Sequence, residues 1–396
     1  MEESRRLCKK LGRQKIYEKT GNVPNGTYTI EKLMWIRERE EYYKNIKKIF
    51  LYEDFIIYML TGMRGISYSL AARTMAFDIT KKKWDDTVFE AAGVKKELMS
   101  EAFPSGTVVG TIRSELAEEL GISGNAKILT GGHDGWCCAL GAGMTDQKIA
   151  VNVSGSCETI SVLMDGPCRE TFMMESNYSC IPYIMEDTYA TYGLCLTSGS
   201  IIKWFRNRLG GGCSYKELDQ SVSDKPSGII VIPDFSVFGT PCFSLDAKGM
   251  LYGITLDTSL SDLFRAMLEG TAFHMRMNME IMEKNGIVIP DIRTVGGAAF
   301  SPVWMQIKAD IWERAVATVE GNEAGVMGCA MLAGKEAGAF DTLEQGAEKL
   351  IRLGRTYMPD KKYREYYREL YEQFKEMFEW KNRRMKNAGK YERIAE

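Results

Sequence analysis

Hydrophobic and polar positions follow their clearest pattern between Lys127 and Ile160, KILTGGHDGWCCALGAGMTDQKIAVNVSGSCETI. Ile128 and Leu129 end a buried strand, and Thr130, Gly131 and Gly132 let the backbone turn sharply behind it. Asp134 is presented there, at a strand end, and opens a helix of small residues from Gly135 to Leu140 that Gly141 and Gly143 punctuate. From Lys148 to Val153 the apolar residues Ile149, Val151 and Val153 alternate, which predicts a second strand running into the turn Ser154-Gly155-Ser156-Cys157-Glu158. A carboxylate at one strand end and a Gly/Ser turn at the next suit a reaction that joins an acceptor hydroxyl to a phosphate.

The rest of the chain alternates helical and strand-like patterns. Residues 1 to 22 predict a polar helix ending at Thr20-Gly21-Asn22, and Thr29 is a candidate cap for a helix with Leu33 and Ile36 on its apolar face. Residues 43 to 61 and 85 to 103 predict two further helices, and Ser67-Tyr68-Ser69 a small-residue turn and helix running through Arg73, Thr74 and Asp78. Strands are expected at Val108-Val109, 188 to 192, 228 to 233, 249 to 254, 292 to 295 and 315 to 319. Between them, helices are expected from Thr197-Ser198-Gly199, from Asp262 to about Asn285 with Ser259 or Ser261 as cap, from about Pro302, and from Glu323 to Ala337. A last long helix starts at Pro359-Asp360. Its stripe Tyr363, Tyr367, Leu370, Tyr371, Phe374 and Phe378 reads as a face docked on the protein body. Strands alternating with helices give an α/β class, with a domain break near Asp146: residues 1–146, then 147–396.

Composition narrows the partners. At 396 residues and 45% hydrophobic the chain can fill two cores, because single cores stop growing near ~250–300 residues. A net charge of −2 offers no basic field for nucleic acid or an anionic membrane. The apolar stretch IFLYEDFIIYML is interrupted by Glu53 and Asp54, so no membrane span is expected. Ten cysteines without C-x-x-C spacing, and a charged first segment, indicate reduced thiols and a cytoplasmic protein. Two histidines, His133 and His274, cannot build a multi-histidine metal site, and no metal ligand is identifiable.

Several ordered motifs carry a resemblance. Thr29-x-x-Lys32-Leu33-x-Trp35-Ile36 is one, and Gly249-Met250-Leu251-Tyr252-Gly253-Ile254 with Asp262-Leu263 and Ala266-Met267-Leu268-Glu269-Gly270 is a second. GGHDGWCCALGAG, IPDFSVFGTP, VGGAAFSPVWMQIKAD and NEAGVMGCAMLAG complete the set, from the first residues to about Tyr371. Together they resemble the FGGY family of carbohydrate kinases, which has the two-domain ribonuclease-H-like fold shared with actin and hexokinase.

The resemblance implies ATP-dependent phosphorylation of a sugar or polyol hydroxyl, with ATP and Mg2+ as cofactors. Asp134 matches the family's general base; as a bland alternative it would only cap its helix. Gly155 and Ser156 match a turn on the ATP phosphates, and Gly296, Gly297 and Ala298 an adenosine-contacting loop, with Ser301 in place of an occasional asparagine. Ser198 and Gly199 resemble another nucleotide-side segment or a plain cap. Thr27, Tyr28 and His133 are the acceptor-side candidates beside Asp134, and Trp136 is either core or pocket wall. Val237 and Phe238 stand where many members have a polar loop. The family leaves room for a homodimer, and the acceptor stays open among xylulose-type, fuculose-type, gluconate and other polyol compounds.

One departure from the family concerns the start. Members begin with a strand–turn–strand bearing an Asp-x-Gly-Thr-type phosphate motif and a lysine, which this sequence does not contain. The resemblance therefore implies an N-terminally shortened kinase, with an open sheet edge and exposed apolar faces in its first domain. Poor stability and little activity of the chain alone are the corresponding expectations. A kinase-derived binding module without catalysis is the competing reading, and an actin-like ATPase a third.

Overall fold

The computed structural model describes residues 2–395 except Asp246, Pro290 and Asn322, with side chains as far as Arg384. Asn322, the first residue of the NEAGVMGCAMLAG motif, thus lies outside the described residues.

The chain forms two compact units and passes between them repeatedly. The first comprises Met1–Gln147, Ser161–Tyr192 and Glu323–Ile351; the second comprises Lys148–Ile160, Gly193–Asn322 and Arg352–Glu396. The first passage, after Gln147, falls one residue from the break expected at Asp146, but residues 161–192 and 323–351 return to the first unit. Packing gives the reason for the second return. Helix Ala324–Glu336 lies directly on helix Asp134–Gly141, and their backbones approach closely at glycines. A Cβ on Gly141 would fall 1.8 Å from the carbonyl oxygen of Ala324, and one on Gly328 2.1 Å from that of Cys137.

Three two-stranded pairings lie in the first unit: Gly65–Ser67 with Glu101–Phe103, Phe77–Asp78 with Lys83–Trp84, and Val108–Thr111 with Lys127–Leu129. Its helical part closes over a core that includes Leu7, Ile16, Tyr28, Leu33, Met75 and Phe89. Helix Tyr52–Thr61 leaves Tyr52, Phe55, Ile56 and Met59 exposed.

Several expected helices are shorter than their patterns. Residues 1 to 22 form two helices, Glu2–Leu11 and Arg13–Thr20, because Gly12 at φ +85° interrupts them. Tyr28, not Thr29, is the cap of helix Thr29–Arg39; its N–H donates to Glu31 Oε2 at 3.2 Å. Residues 43 to 61 divide into a short 3₁₀ turn, Glu41–Asn45, and the helix Tyr52–Thr61, which restarts where the Leu51 N–H donates to Asp54 Oδ1 at 2.7 Å. The helix expected over 85 to 103 stops at Ala92, before Gly93 in the left-handed region, and the segment ends as the strand Glu101–Phe103. The helix begun at Tyr68 ends at Ala72, so Arg73 lies just beyond it and Asp78 is on a strand.

The main sheet runs in the order Leu353–Tyr357, Val316–Val319, Asp291–Val295, Ile149–Ser154, Glu158–Met164, Tyr189–Cys195, Cys180–Pro182. Strand Ile149–Ser154 pairs in parallel with Asp291–Val295, placing Val153 opposite Val295. Both strands therefore end together, and the turns after them, at Gly155 and Gly296, emerge side by side in the second unit. The 25-residue helix Leu260–Lys284 packs on helix Pro302–Trp312 and strand Ile230–Ile232, and is started by a reciprocal cap in which Ser259 Oγ accepts the Asp262 N–H and Asp262 Oδ2 accepts the Ser259 N–H. The C-terminal helix Arg364–Ala395 buries Tyr367, Leu370, Tyr371, Phe374 and Phe378 of the expected stripe, whereas Tyr363, half-buried, precedes the helix, which starts at Arg364 and not at Pro359-Asp360. Strands Glu158–Met164, Cys180–Pro182 and Leu353–Tyr357, and helix Leu343–Leu350, add to the elements expected from sequence.

Candidate active site

In the first unit the turn after strand Lys127–Leu129 is held from outside. Glu53 Oε1 accepts the N–H of Gly131 at 2.8 Å, and Ser69 Oγ accepts that of His133 at 2.9 Å. The Thr130 hydroxyl donates to the Pro104 carbonyl at 2.7 Å and accepts the Thr107 N–H at 3.1 Å. Out of this braced turn rises helix Asp134–Gly141.

His133 occupies the cap position and Asp134 is the first helical residue. The Asp134 side chain is 97% exposed. Its Oδ1 accepts the adjacent Gly135 N–H at 2.8 Å and lies 3.5 Å from His133 Nε2. A carboxylate capping its helix would instead reach an amide two or three positions on. Asp134 is thus an exposed carboxylate on a hydrogen-bonded mount, free to accept a proton from a group that approaches it.

His133 is half-buried, its ring edge-on to Trp136 at 5.5 Å between centroids. Burial pushes its pKa down to about 4, the nearby Arg73 cation lowers it further and Asp134 opposes, so the imidazole is neutral at neutral pH. Trp136 is core: it is buried between His133, Tyr183 and Tyr192. Arg73, expected from sequence only as part of a helix, contributes a cation to this face. Its Nη1 donates to Tyr192 Oη at 3.1 Å and to Asn22 Oδ1 at 3.3 Å, and its guanidinium lies over the Tyr28 ring at 5.2 Å. Tyr28 is buried beneath it, its hydroxyl 3.4 Å from Ser179 Oγ. Thr27 is exposed and bonds locally, to Asn25 Oδ1 at 2.6 Å. So His133, Asp134, Arg73 and Tyr28 form one cluster, and Thr27 is engaged elsewhere.

The second unit carries a cavity of about 970 Å³. Six residues singled out from sequence line it: Gly155, Ser156, Gly199, Gly297, Ala298 and Ser301. Ile202, Phe264, Leu268 and Trp304 supply apolar wall, while Lys203, Lys216, Asp219 and Gln220 bring charge and amide groups. Burial raises the Asp219 pKa and a hydrogen bond from Ser301 opposes the shift. Ser301 Oγ also caps helix Pro302–Trp312 by accepting the Trp304 N–H at 3.1 Å.

Gly296 and Ser198 stand behind the lining. Gly296 has φ +94°, and a Cβ there would fall 2.6 Å from the Ser154 carbonyl oxygen, so no other residue fits this turn without a shift. Ser198 is fully buried at the start of helix Gly199–Arg208, yet its hydroxyl donates to Glu158 Oε2 at 2.7 Å and does not cap that helix. The first helical amides go to the neighbouring turn: Gly199 N–H to the Gly155 carbonyl at 3.0 Å, and Ser200 N–H to that of Ser156 at 3.1 Å. A Cβ on Gly199 would fall 2.3 Å from the Gly155 carbonyl oxygen, so glycine is required for this contact.

Among the described residues no group of three His, Cys, Asp or Glu side chains is arranged to hold a metal ion, and no helix is long and apolar enough to cross a membrane.

Comparison with known proteins gives the family and the fold. The sequence matches "FGGY family of carbohydrate kinases, N-terminal domain" over residues 1–141 and "FGGY family of carbohydrate kinases, C-terminal domain" over residues 136–337. The xylulose kinase of Bacillus subtilis (strain 168) is 26% identical over 377 residues, covering 94% of this chain and 75% of that protein. The glycerol kinase of Thermococcus gammatolerans is 29% identical over 351 residues, covering 86% of this chain and 69% of its own. The crystal structure of xylulose kinase from Rhodospirillum rubrum superposes with a TM-score of 0.84 at 23% identity, over 95% of this chain and 77% of that one. At that identity the likeness establishes the fold, the α/β architecture of FGGY kinase structures.

Proposed function

Because the chain belongs to the FGGY family of carbohydrate kinases, we propose that it transfers the γ-phosphoryl group of ATP to a hydroxyl of a small sugar or polyol, with Asp134 as general base. The observation that carries this reading is the exposed Asp134 carboxylate on its braced turn. The acceptor hydroxyl gives its proton to Asp134 while its oxygen bonds the γ-phosphorus. The bond from that phosphorus to the β–γ bridging oxygen breaks, and ADP leaves. Proton acceptance of this kind contributes about 10²–10⁴ in rate, and positioning and charge stabilisation supply the rest.

His133, neutral and adjacent, suits a hydrogen bond to an acceptor hydroxyl, and Arg73 with Tyr28 holds the floor of that face. On the nucleotide side, Gly155 and Ser156 meet the phosphates; Gly297 and Ala298 leave room for the nucleoside, and Ser301 borders it. ATP enters as its magnesium complex, so the metal arrives with the substrate phosphates. Among the described residues no disulfide links the cysteines, in keeping with a reducing, cytoplasmic setting.

The test is ADP release by the purified chain, given MgATP and a panel of pentuloses, hexuloses, polyols and aldonates, with Asp134→Asn as control. Acceptor-dependent ADP release that Asp134→Asn abolishes is the expected result. ADP binding without any acceptor-dependent turnover would favour a non-catalytic binding module, and turnover independent of every acceptor an ATPase.

A further inference from the structure

Lys308 is a lysine with no exposed surface, in the middle of helix Pro302–Trp312. Its ammonium lies 2.5 Å from Glu158 Oε1 and donates to Asn152 Oδ1 and Ser154 Oγ, each at 3.0 Å. It also sits over the rings of Trp304 and Trp312, at 4.9 and 5.4 Å from their centroids. Glu158 is equally buried. Beyond Lys308 it accepts from Asn152 Nδ2 at 2.9 Å on one oxygen and from the Ser198 hydroxyl at 2.7 Å on the other. Thr294 joins the network through Asn152 Oδ1 at 3.3 Å.

A buried ion pair is a poor way merely to fill space, since hydrophobic replacement of such pairs is often neutral or stabilising. What this pair supplies is connection. Ser154 immediately precedes Gly155, and Glu158 closes the same turn. Ser198 immediately precedes Gly199, and Thr294 is on the strand that leads into Gly296 and Gly297. Every segment the network grips therefore ends at the wall of the cavity. Ser198 shows the priority: its hydroxyl serves Glu158 and leaves its own helix without a side-chain cap.

We infer that Lys308 and Glu158 are positioning residues for nucleotide binding: their ion pair holds the Gly155–Ser156 turn and the start of helix Gly199–Arg208 in the arrangement that receives the phosphates of a nucleoside triphosphate. This rests on the kinase reading above and assigns residues that touch no ligand themselves. Preorganisation by such a supporting shell sets how well a site binds.

The experiment uses the whole chain and ADP as probe, by titration calorimetry, with the acceptor KM and the thermal transition measured in parallel. Two variants are compared with the parent: Lys308→Met/Glu158→Leu, which removes the charges together, and Ser198→Ala, which cuts only the tether to the helix. The dissociation constant for ADP is expected to rise about tenfold or more in the double variant and several-fold in Ser198→Ala, with the acceptor KM unchanged. Should the double variant lack a cooperative transition, Ser198→Ala decides. An unchanged ADP constant in folded Ser198→Ala, or parallel loss of ADP and acceptor binding, overturns the inference and leaves the kinase reading intact. Failure of the parent chain to bind ADP at all overturns both.

Discussion

Glu53 grips the turn before Asp134 from two sides: one carboxylate oxygen accepts the Gly131 N–H at 2.8 Å and the other the Ser67 N–H at 2.6 Å. The side chain thereby ties the start of the small-residue helix Tyr68–Ala72 to the end of strand Lys127–Leu129. Glu53→Ala leaves two backbone donors without their acceptor. The expected cost is about 1–3 kcal/mol of stability, read as a lower denaturation midpoint at unchanged slope. Turnover should fall as well, since the mount of Asp134 loosens, while ADP binding should hold. Loss of ADP affinity with normal turnover would contradict this division.

Asp134→Asn removes the proposed proton acceptor and little else. The side chain is exposed and its one backbone contact, to Gly135, can be made by an amide oxygen. Turnover is expected to drop about 10²–10⁴-fold, with the thermal midpoint and the ADP dissociation constant unchanged. A variant that retains most of its turnover would move the proton acceptor elsewhere.

Much of this site is legible in sequence because its parts are local. A glycine turn after an apolar strand, followed by a carboxylate, marks the Asp134 mount within a few residues, and Ser259 with Asp262 signals its helix start as directly. Two things are not legible. Arg73 and Tyr28 are 45 positions apart and meet only through the fold. Lys308 is 156 positions from Asn152, and a lysine in a helix ordinarily reads as a solvated residue. Other differences from the sequence pattern are local. Gly12 and Gly93 break helices whose apolar periodicity runs on past them, and ETISVLM, rich in β-branched residues, forms the strand Glu158–Met164.

Cys137 and Cys329 face each other where the two small-residue helices touch, Sγ to Sγ 3.9 Å. Cys329 is exposed and Cys137 buried. The contact with Cys137 brings the Cys329 thiol down to about 7 against the opposing effect of burial, whereas the same contact, and then burial, raise Cys137. Because the thiolate is the nucleophile, iodoacetamide should label Cys329 first, with a rate that rises through neutral pH. Cys137→Ala should shift that rise to higher pH. Mass spectrometry of the labelled chain reads both outcomes, and preferential labelling of Cys137 would refute the assignment.

His274 should make stability depend on pH in one direction. Its Nε2 lies 2.7 Å from the Thr240 carbonyl, its ring stacks on Phe238 at 4.9 Å, and its Nδ1 is buried without a partner. Adding a second proton would put a charge on that unpartnered nitrogen, so burial holds the pKa down to about 4 against the ordinary 6.5. Between those values the unfolded chain binds more protons than the folded one. Stability therefore rises with pH across this window and is lost as pH falls below 6.5. From pH 7 to pH 5 the loss from this residue is on the order of 2 kcal/mol. His133, also held down to about 4, acts in the same direction. Buried carboxylates such as Glu269, whose pKa burial raises, act in the opposite one, so the test is a difference between proteins. The denaturation free energies of the parent and His274→Gln, each at pH 7 and pH 5, should differ in slope, with the variant flatter. With only two histidines in the chain, imidazole NMR signals give the folded pKa values directly, and a His274 value near 6.5 would remove the basis for the slope.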